Sequence, residues 1–421
     1  MSEKPDQKPG RNRAAAARDV IQSVIAPQSS IWSSVLVVVL AFVTALVVSA
    51  VFIVVSDPNV IQAPDLLTAL NVAWQDVSGA YGGLLTGALG DPSTVIAKLS
   101  SGDAKVAASA FYPLSETVVA AAPLVFTGLA VALGFRAGLF NIGGEGQVIA
   151  GGLAAGFVGF SVHGLTGFVE LPLALLAGFL VGMLWGFIPG LLKARTGAHE
   201  VITTIMLNYV AIYLTYYFLN TTLFQRPGRT DPISKVVDSA AMLPSLAALN
   251  LRVHAGALLA VAVAVAVYFL LWRTTLGFEF RAVGANPDAS RAAGIGVGRV
   301  IVVAMSLSGG LAGLAGANII LGVQYSVTPG FSSGLGFDGI TVALLGRGNP
   351  VGVVAAALLF GGLRAGAVQM QAATSTPVDI VQVIEALVIM FVAAPALIRA
   401  IFRLRAVRGI GAPTVSPGWG G

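Results

Sequence analysis

A group of polar side chains interrupts an apolar part of the sequence between Phe135 and Gly152. The stretch FRAGLFNIGGEGQVIAGG contains Asn141, Glu145 and Gln147 among glycines. A charged side chain at the centre of a bilayer costs about 2.5 to 3.5 kcal/mol, so such a residue normally faces a cavity or a partner. Amide and carboxylate groups can hydrogen-bond a polar solute. The group is therefore the first candidate for a functional site.

Two interpretations of Glu145 follow from its neighbours. The glycines around it weaken a helix and free backbone amides to line a cavity, so Glu145 and Gln147 can line a polar pathway. Alternatively, they lie at the cytoplasmic end of a span, where Glu145 caps the helix and pairs with Arg136. Asn208, four residues after Thr204, offers a second uncharged polar face suited to a neutral solute or a neighbouring helix. The predicted substrate pathway consists of Asn141, Glu145, Gln147 and Asn208.

Enzymatic chemistry finds little support in the sequence. The motif GFSSG at 330–334 matches a nucleophile elbow, but no histidine follows His254. The stretch GLGFDG at 334–339 has the spacing of a dinucleotide-binding turn, but no strand precedes it. No Gly-Lys dipeptide occurs, so the chain has no Walker A loop. Cysteine is absent and only 3 histidines are present, so we expect no metal, no cofactor and no catalytic residue.

The composition is that of an integral membrane protein, because 56% of the 421 residues are hydrophobic and 10% are charged. Apolar runs recur that reach about 20 residues, the length a helix needs to cross about 30 Å of hydrocarbon. We therefore predict an all-α fold, a polytopic transmembrane helical bundle. The net charge of +5 is interpreted as the positive-inside bias of cytoplasmic loops, and not as a nucleic-acid site.

About ten spans are predicted, including one short or broken helix. They cover residues 31–55, 117–135, 138–162, 171–192, 201–222, 254–272, 300–323, 334–345, 351–370 and 380–398. The segment 334–345 is too short for a full crossing and is interpreted as a broken or re-entrant helix. The distribution of lysine and arginine places both termini in the cytoplasm. Residues 1–30 and 399–421 are then cytoplasmic tails flanking a membrane domain, 31–398.

Two patterns predict how parts of this bundle are arranged. Residues 56–116 are too polar to span and are predicted to form an extracytoplasmic helical hairpin, or alternatively two short interfacial helices. A ladder of glycines with four-residue spacing predicts close helix packing in one of the spans, and GGLAGLAG at 309–316 predicts the same in another. The ladder consists of Gly178, Gly182, Gly186 and Gly190.

The cytoplasmic connection 273–299 carries signals of ordered structure. Gly284 is predicted to end one short helix, Asn286 to cap a second with Pro287 in its first position, and Gly294 to close it. A flexible linker would not need these capping residues. We therefore predict an ordered elbow that docks onto a cytoplasmic partner.

Three stretches resemble a known family. They are TGLAVALGFRAGLFNIGGEGQVIAG at 127–151, TGAHEVITTIMLNYVAIYL at 196–214 and LGFEFRAVGANPDASRAAGI at 276–295. They are similar to the permease subunits of bacterial ABC importers of the nucleoside type, which are relatives of the ribose and branched-chain amino acid permeases. The resemblance extends from about 117 to 398. His199 departs from it, because members of this branch often have asparagine there.

The resemblance implies a transporter without catalysis of its own, located in the inner (plasma) membrane and importing nucleosides by alternating access. Its implied partners are a cytoplasmic ABC ATPase, a second homologous permease subunit and an extracytoplasmic substrate-binding lipoprotein. It also implies that the elbow is a pair of coupling helices seated in the ATPase. The predicted coupling residues are Arg281, Gly284, Asn286, Pro287, Arg291 and Gly294.

Other functions remain open at this stage. An ABC permease for sugars or branched-chain amino acids is one alternative. An ion-coupled secondary transporter is another, and its proton or sodium sites would be Glu145, Glu200 and Glu385. Gly336 and Asp338 can also be counterparts of Gly144 and Glu145 in a repeated half.

Overall fold

The structure is a computed structural model that describes residues 31–246, 251–374, 376–394, 397–398 and 401–402. The predicted tail 1–30 and most of the tail 399–421 lie outside these residues. The described part contains sixteen α-helices and isolated β-bridges but no β-strand, which confirms the all-α prediction. The first eight helices are α1 Ile31–Ser56, α2 Pro58–Ile61, α3 Leu66–Leu89, α4 Pro92–Leu99, α5 Ala104–Ser109, α6 Tyr112–Arg136, α7 Gly144–Ser161 and α8 Gly167–Thr196.

The second half of the described chain follows in the same way. Its helices are α9 Glu200–Leu219, α10 Ala255–Arg273, α11 Thr275–Ala285, α12 Pro287–Ala292, α13 Val297–Ile319, α14 Leu335–Leu345, α15 Pro350–Thr374 and α16 Asp379–Ala393. A π-helical turn, Ile320–Gln324, continues α13.

Seven of the described helices are long and apolar enough to cross a membrane: α1, α6, α8, α9, α10, α13 and α15. Each corresponds to one of the ten predicted spans. The other three predicted spans correspond to α7, α14 and α16, which are shorter or less apolar. The helix α7 begins at Gly144 and not at Gly138, because residues 137–143 leave the helical path in a turn. The total of ten spans and the cytoplasmic location of the termini stay predictions.

The segment 56–116 is helical, as predicted, but it is not a hairpin. It forms four helices, α2 to α5, each of which begins with an aspartate whose side chain accepts a hydrogen bond from a backbone N–H of the first turn. Hydrogen bonds from Ser93 and Thr94 lower the pKa of Asp91 to about 2. The acidic residues that argued against a membrane span thus define the starts of short helices.

The helix α3 packs against the bundle along α15. A methyl group added at Gly83 would lie 2.9 Å from the Cα of Met370, and one added at Gly87 would lie 2.9 Å from the Cα of Gly366. The Tyr81 hydroxyl donates a hydrogen bond to the Leu46 carbonyl in α1. Residues later in α3 contact residues earlier in α15, so the two helices are antiparallel.

The predicted glycine ladder packs against the second glycine-rich span. A methyl group added at Gly182 would lie 2.5 Å from the carbonyl oxygen of Gly309 and 2.8 Å from the Cα of Gly313. Along this line the backbones of α8 and α13 meet without intervening side chains, as small-xxx-small packing in membranes allows. The prediction of close packing is confirmed, and each glycine-rich helix is the partner of the other.

Replacing Gly182 by leucine is expected to prevent this packing. No part of α13 can yield to the new side chain, since the atoms opposite Gly182 are backbone, and overpacking a tight contact costs about 1 to 3 kcal/mol or more. We expect a large loss of folded protein in size-exclusion chromatography and a lower melting temperature. The matched control is Gly82→Leu in α3, where an added methyl group meets nothing within 4 Å. Equal behaviour of the two variants would contradict the packing argument.

Candidate functional site

The N-termini of α7 and α14 meet inside the bundle. A methyl group added at Gly144 would lie 3.1 Å from the Gly336 carbonyl oxygen, and one added at Gly336 would overlap the backbone of Glu145. Only glycine at both positions lets the two backbones come this close. The sequence paired Gly144 with Gly336 as counterparts of a repeated half, and the structure places them in direct contact.

Glu145 caps α14 from another helix. Its Oε2 accepts a hydrogen bond from the Gly336 N–H at 2.8 Å, and its Oε1 accepts from the Gly334 N–H at 3.2 Å and from the Ser332 hydroxyl. No side chain of α14 itself caps this end. The partly positive N-terminus of a helix stabilises an anion. The buried carboxylate is therefore satisfied without a cationic partner.

The pairing of Glu145 with Arg136, which is part of the alternative interpretation, is wrong. The Arg136 Nε donates to the Gly348 carbonyl at 3.0 Å, and its guanidinium lies 4.9 Å from the ring centroid of Trp272. Both contacts lie at the end of α6. The arginine is thus engaged there, while Glu145 is engaged by the start of α14.

Asn208 caps the N-terminus of α7, as Glu145 caps the N-terminus of α14. Its Oδ1 accepts from the Gly146 N–H at 2.8 Å, and its Nδ2 donates to the Ile142 carbonyl at 3.0 Å. The helix α7 has no side-chain cap among its own residues. Asn208 therefore fixes the start of α7 from the neighbouring helix α9.

A second amide pair completes the cluster. The Nδ2 of Asn141 donates to Gln147 Oε1 and to Ser308 Oγ, both at 2.8 Å. Its Oδ1 accepts from the Gly143 N–H at 3.0 Å, and the Ser308 hydroxyl donates to the Ala130 carbonyl at 2.7 Å. These bonds join the turn before α7 to α6 and α13.

The structure thus brings the four predicted pathway residues into one cluster, which we call the helix-start cluster: Asn141, Glu145, Gln147 and Asn208. All four are at most 5% exposed. Their hydrogen bonds go to one another, to serines and to backbone groups of two helix starts, so these groups already have partners in this conformation. Their role in a pathway stays a proposal.

Sequence reasoning missed the residues on the other side of Glu145. Ser332 and Gly334 belong to the GFSSG motif, which has the spacing of a nucleophile elbow but no histidine after it in the chain. The glycines at its ends have a conformational role: Gly330 and Gly334 have φ values of 71° and 79°. Such left-handed conformations favour glycine and turn the chain into α14. The motif was therefore a signal for a turn that presents N–H groups to Glu145.

A partly buried ionic group holds the other side of α14. The guanidinium of Arg364 in α15 contacts the carboxylate of Asp338, and its Nε lies 3.6 Å from Glu385 Oε1 in α16. The Glu385 side chain is only 6% exposed. One arginine thus joins three helices, and no local pattern along the chain predicts that these three residues meet.

Replacing Arg364 by methionine is expected to destabilise the protein strongly. The change leaves the carboxylates of Asp338 and Glu385 without their cation, and breaking a buried ion pair in this way costs about 3 to 5 kcal/mol. Because the side chains of Arg364 and Asp338 are 27% and 23% exposed, we expect the lower end of this range. We expect a clearly lower melting temperature in detergent. The comparison variant is Arg229→Met, which removes an exposed pair with Asp231 and should leave the melting temperature unchanged. A small effect of Arg364→Met would contradict a structural role for the ionic group.

Each of the carboxylates proposed for an ion-coupled transporter lies near a donor or a cation, although Glu385 Oε1 accepts no hydrogen bond from the described residues. Glu145 is bound by the start of α14, Glu385 lies near Arg364, and Glu200 Oε2 is 2.6 Å from the Lys193 Nζ. Glu200 lies in the first turn of α9, where a negative charge is favourable, as predicted. The geometry therefore gives no specific support to ion coupling.

The elbow between α10 and α13 is formed by α11 and α12. The Asn286 Oδ1 accepts hydrogen bonds from the N–H groups of Asp288 and Ala289, both at 3.0 Å, and Pro287 occupies the first turn. Gly294 has a φ of 83°, and the Ile295 N–H donates to the Ser290 carbonyl, which closes α12 in a Schellman motif. The predicted caps are confirmed.

The role predicted for Gly284 needs a correction. It does not end a helix, since α11 continues to Ala285. A methyl group added at Gly138 would lie 3.0 Å from the Gly284 Cα, and one added at Gly284 would overlap the Arg136 carbonyl. Glycine is therefore needed where α11 packs against the turn that follows α6.

The outer side of the elbow is exposed. Arg291 and Asp288 form a pair at 2.8 Å, and their side chains are 67% and 89% exposed. The guanidinium of Arg281 lies 5.3 Å from the ring centroid of Trp272, on which Arg136 also stacks. Of the predicted coupling residues, Arg291 is thus available at the surface, whereas Gly284 attaches the elbow to the bundle. Arg281 is also exposed and contacts the bundle through Trp272.

Comparison with known proteins gives a consistent result. The family model described as "Branched-chain amino acid transport system / permease component" matches residues 114–393. The guanosine ABC transporter permease protein NupP of Bacillus subtilis is 44% identical over 292 residues, 68% of this chain and 83% of that protein. The nucleoside ABC transporter permease protein NupB of Lactococcus lactis is 37% identical over 289 residues, 66% of this chain and 79% of NupB. The glucose ABC transporter permease protein TsgB13 of Haloferax volcanii is 40% identical over 289 residues, 66% of this chain and 76% of TsgB13. No solved structure matches the chain.

Proposed function

This chain belongs to the family of permease components of branched-chain amino acid transport systems, and we propose that it is the membrane subunit of an ATP-binding-cassette importer for nucleosides. The observation that carries the proposal is the 44% identity to a guanosine permease over 83% of that protein's length. The neutral amides of the helix-start cluster are consistent with an uncharged solute. The protein itself performs no covalent chemistry.

The energy for uptake comes from a separate subunit. The chain has no Walker A loop, so a cytoplasmic ATPase must bind and hydrolyse ATP. In this account the ATPase holds the exposed side of α12, and the elbow transmits its movement as a rigid lever to the end of α6. A second, homologous permease subunit and an extracytoplasmic binding lipoprotein complete the importer in the plasma membrane.

When the elbow moves the bundle, we expect the helices joined by the helix-start cluster to move together. Glu145 and Asn208 join α7, α9 and α14 through backbone groups, so a shift of one helix start is transmitted to the others. We place the cluster in the wall of the passage, where Asn141 links that wall through Ser308 to α13 and α6.

A sugar is the second candidate substrate. It is favoured by the 40% identity to a glucose permease, which is nearly as high as the identity to the guanosine permease. In ABC importers the external binding protein contributes to the choice of solute, so the permease alone leaves both candidates in place.

Uptake measurements distinguish these functions. A strain that lacks this chain is compared with the complemented strain, with radiolabelled guanosine and glucose. We expect guanosine uptake that requires the chain, stops on ATP depletion and survives an ionophore. Uptake of glucose alone would favour the sugar transporter. Uptake that survives ATP depletion but collapses with the ionophore would refute an ATP-driven importer.

A further inference from the structure

A cleft of about 180 Å³ lies beside the helix-start cluster. One wall is formed by α7 and another by α9, and the third is the segment 329–334 that leads into α14. The helices contribute Glu145, Ile149, Ile212, Thr215 and Tyr216.

The cleft follows the route from a surface loop into the bundle. The N–H of Val237 donates to the Tyr325 carbonyl and the N–H of Ser234 donates to the Val327 carbonyl, both at 2.9 Å. Nine residues after Val327, Gly336 reaches Glu145 in the interior. The chain segment that lines the cleft thus connects the loop 224–246 with the point where the two helix starts meet.

The lining favours an uncharged aromatic ligand. No lysine or arginine lines the cleft, and its one carboxylate, Glu145, is already bound by three donors. A phosphate group would meet this negative charge without a cation to balance it. Two aromatic residues line the cleft, Tyr216 from α9 and Phe331 from the segment 329–334.

The two rings differ in how tightly they are packed. Phe331 is 4% exposed, and its ring packs against α7 at Gly152, where an added methyl group would lie 2.5 Å from it. Tyr216 is 46% exposed. One wall is therefore fixed, and the other can adjust to a planar group that enters between them.

We propose that this cleft is a binding site for the planar base of the transported solute, held between Tyr216 and Phe331. The proposal rests on the proposed function and deepens it. A base stacks on aromatic side chains with little dependence on its identity, so the site would accept purine and pyrimidine nucleosides. It would reject nucleotides, because the carboxylate of Glu145 repels a phosphate group. The volume is below the roughly 300 Å³ of ordinary ligand pockets, so it fits the ring system and leaves the sugar outside.

Two other exposed tyrosines of α9 provide controls. Tyr209 and Tyr213 are 55% and 69% exposed, but they do not line the cleft. Tyr209 and Tyr216 are seven residues apart, which separates them by about 10 Å along the helix. Tyr209 therefore presents the same chemistry on the same helix at a different depth.

The absence of cysteine from the chain makes a direct test possible. Tyr216→Cys and Tyr209→Cys are introduced separately into the complete importer, and the rate of modification by a small methanethiosulfonate reagent is measured. We expect guanosine, supplied with the binding protein and ATP, to slow modification at position 216 several-fold and to leave position 209 unchanged. Guanosine monophosphate should protect neither position. Guanosine uptake without protection at 216 would overturn the site while leaving the proposed function intact.

A second measurement separates stacking from folding. Tyr216→Ala should lower guanosine uptake about fivefold or more, the size expected for losing one base–aromatic contact. Tyr216→Phe keeps the ring and should retain uptake, and Tyr209→Ala should behave as the unchanged protein. If Tyr216→Phe loses as much uptake as Tyr216→Ala, stacking is refuted. If glucose instead of guanosine protects position 216, the proposed substrate itself is wrong.

Discussion

Replacing Glu145 by alanine is expected to abolish uptake and to destabilise the subunit. The change leaves the N–H groups of Gly334 and Gly336 and the hydroxyl of Ser332 without their acceptor. Each buried donor without a partner costs about 1 to 3 kcal/mol, and α14 also loses the charge that stabilises its N-terminus. Uptake by whole cells and thermal unfolding in detergent measure the two effects.

Glu145→Gln refines this prediction. Glutamine has nearly the same shape but offers one acceptor oxygen and one NH₂ group. Its NH₂ group would therefore face one of the N–H or O–H donors that now bind the Glu145 carboxylate. We expect a smaller loss of stability than for alanine, with a large loss of uptake. The matched control is Glu116→Gln, whose partner Arg252 is half exposed, and we expect little change there. Full stability and uptake of Glu145→Gln would show that the carboxylate does not hold α14.

Replacing Gly284 by glutamate is expected to uncouple ATP hydrolysis from uptake. Any side chain at this position overlaps the Arg136 carbonyl, so α11 must move away from the turn after α6. The ATPase should still bind the exposed α12 and hydrolyse ATP, while the movement no longer reaches the bundle. We expect uptake to fall more than tenfold per ATP hydrolysed in proteoliposomes.

The control for this variant lies in the same connection. Gly296→Glu introduces the same side chain where an added methyl group meets only Arg299 Cβ, at 3.7 Å. It should preserve coupling. If Gly284→Glu transports at the normal ratio, the elbow is not a lever.

The features predicted correctly from the sequence are local. Asn286 and Pro287 define the start of α12 through neighbouring residues, and Gly294 defines its end through its own conformation. The glycine ladder is likewise a repeat within one helix. Such patterns fix helix ends and packing faces, because their physical causes lie within a few residues along the chain.

The features that sequence reasoning missed depend on distant residues. Glu145 and Ser332 are separated by 187 positions, and no local pattern links them. Arg364, Asp338 and Glu385 meet only when three helices pack. For α3, however, a local signal existed, because Gly79, Gly83 and Gly87 repeat the four-residue spacing of the ladder in α8. The prediction for 56–116 depends instead on the polar residues of that segment, which argue against a packed helix in the membrane.

The central claim is that a cytoplasmic ATPase holds the α11–α12 elbow, and Asp288 offers the most direct test. Its side chain is 89% exposed on α12, and Asp288→Cys would be the only cysteine of the chain. A benzophenone maleimide attached there in inside-out membrane vesicles is photoactivated, and the adduct is identified by mass spectrometry. We expect a covalent adduct with the ATPase subunit. Labelling of this cysteine from outside intact cells, or an adduct with the extracytoplasmic binding protein, would contradict it.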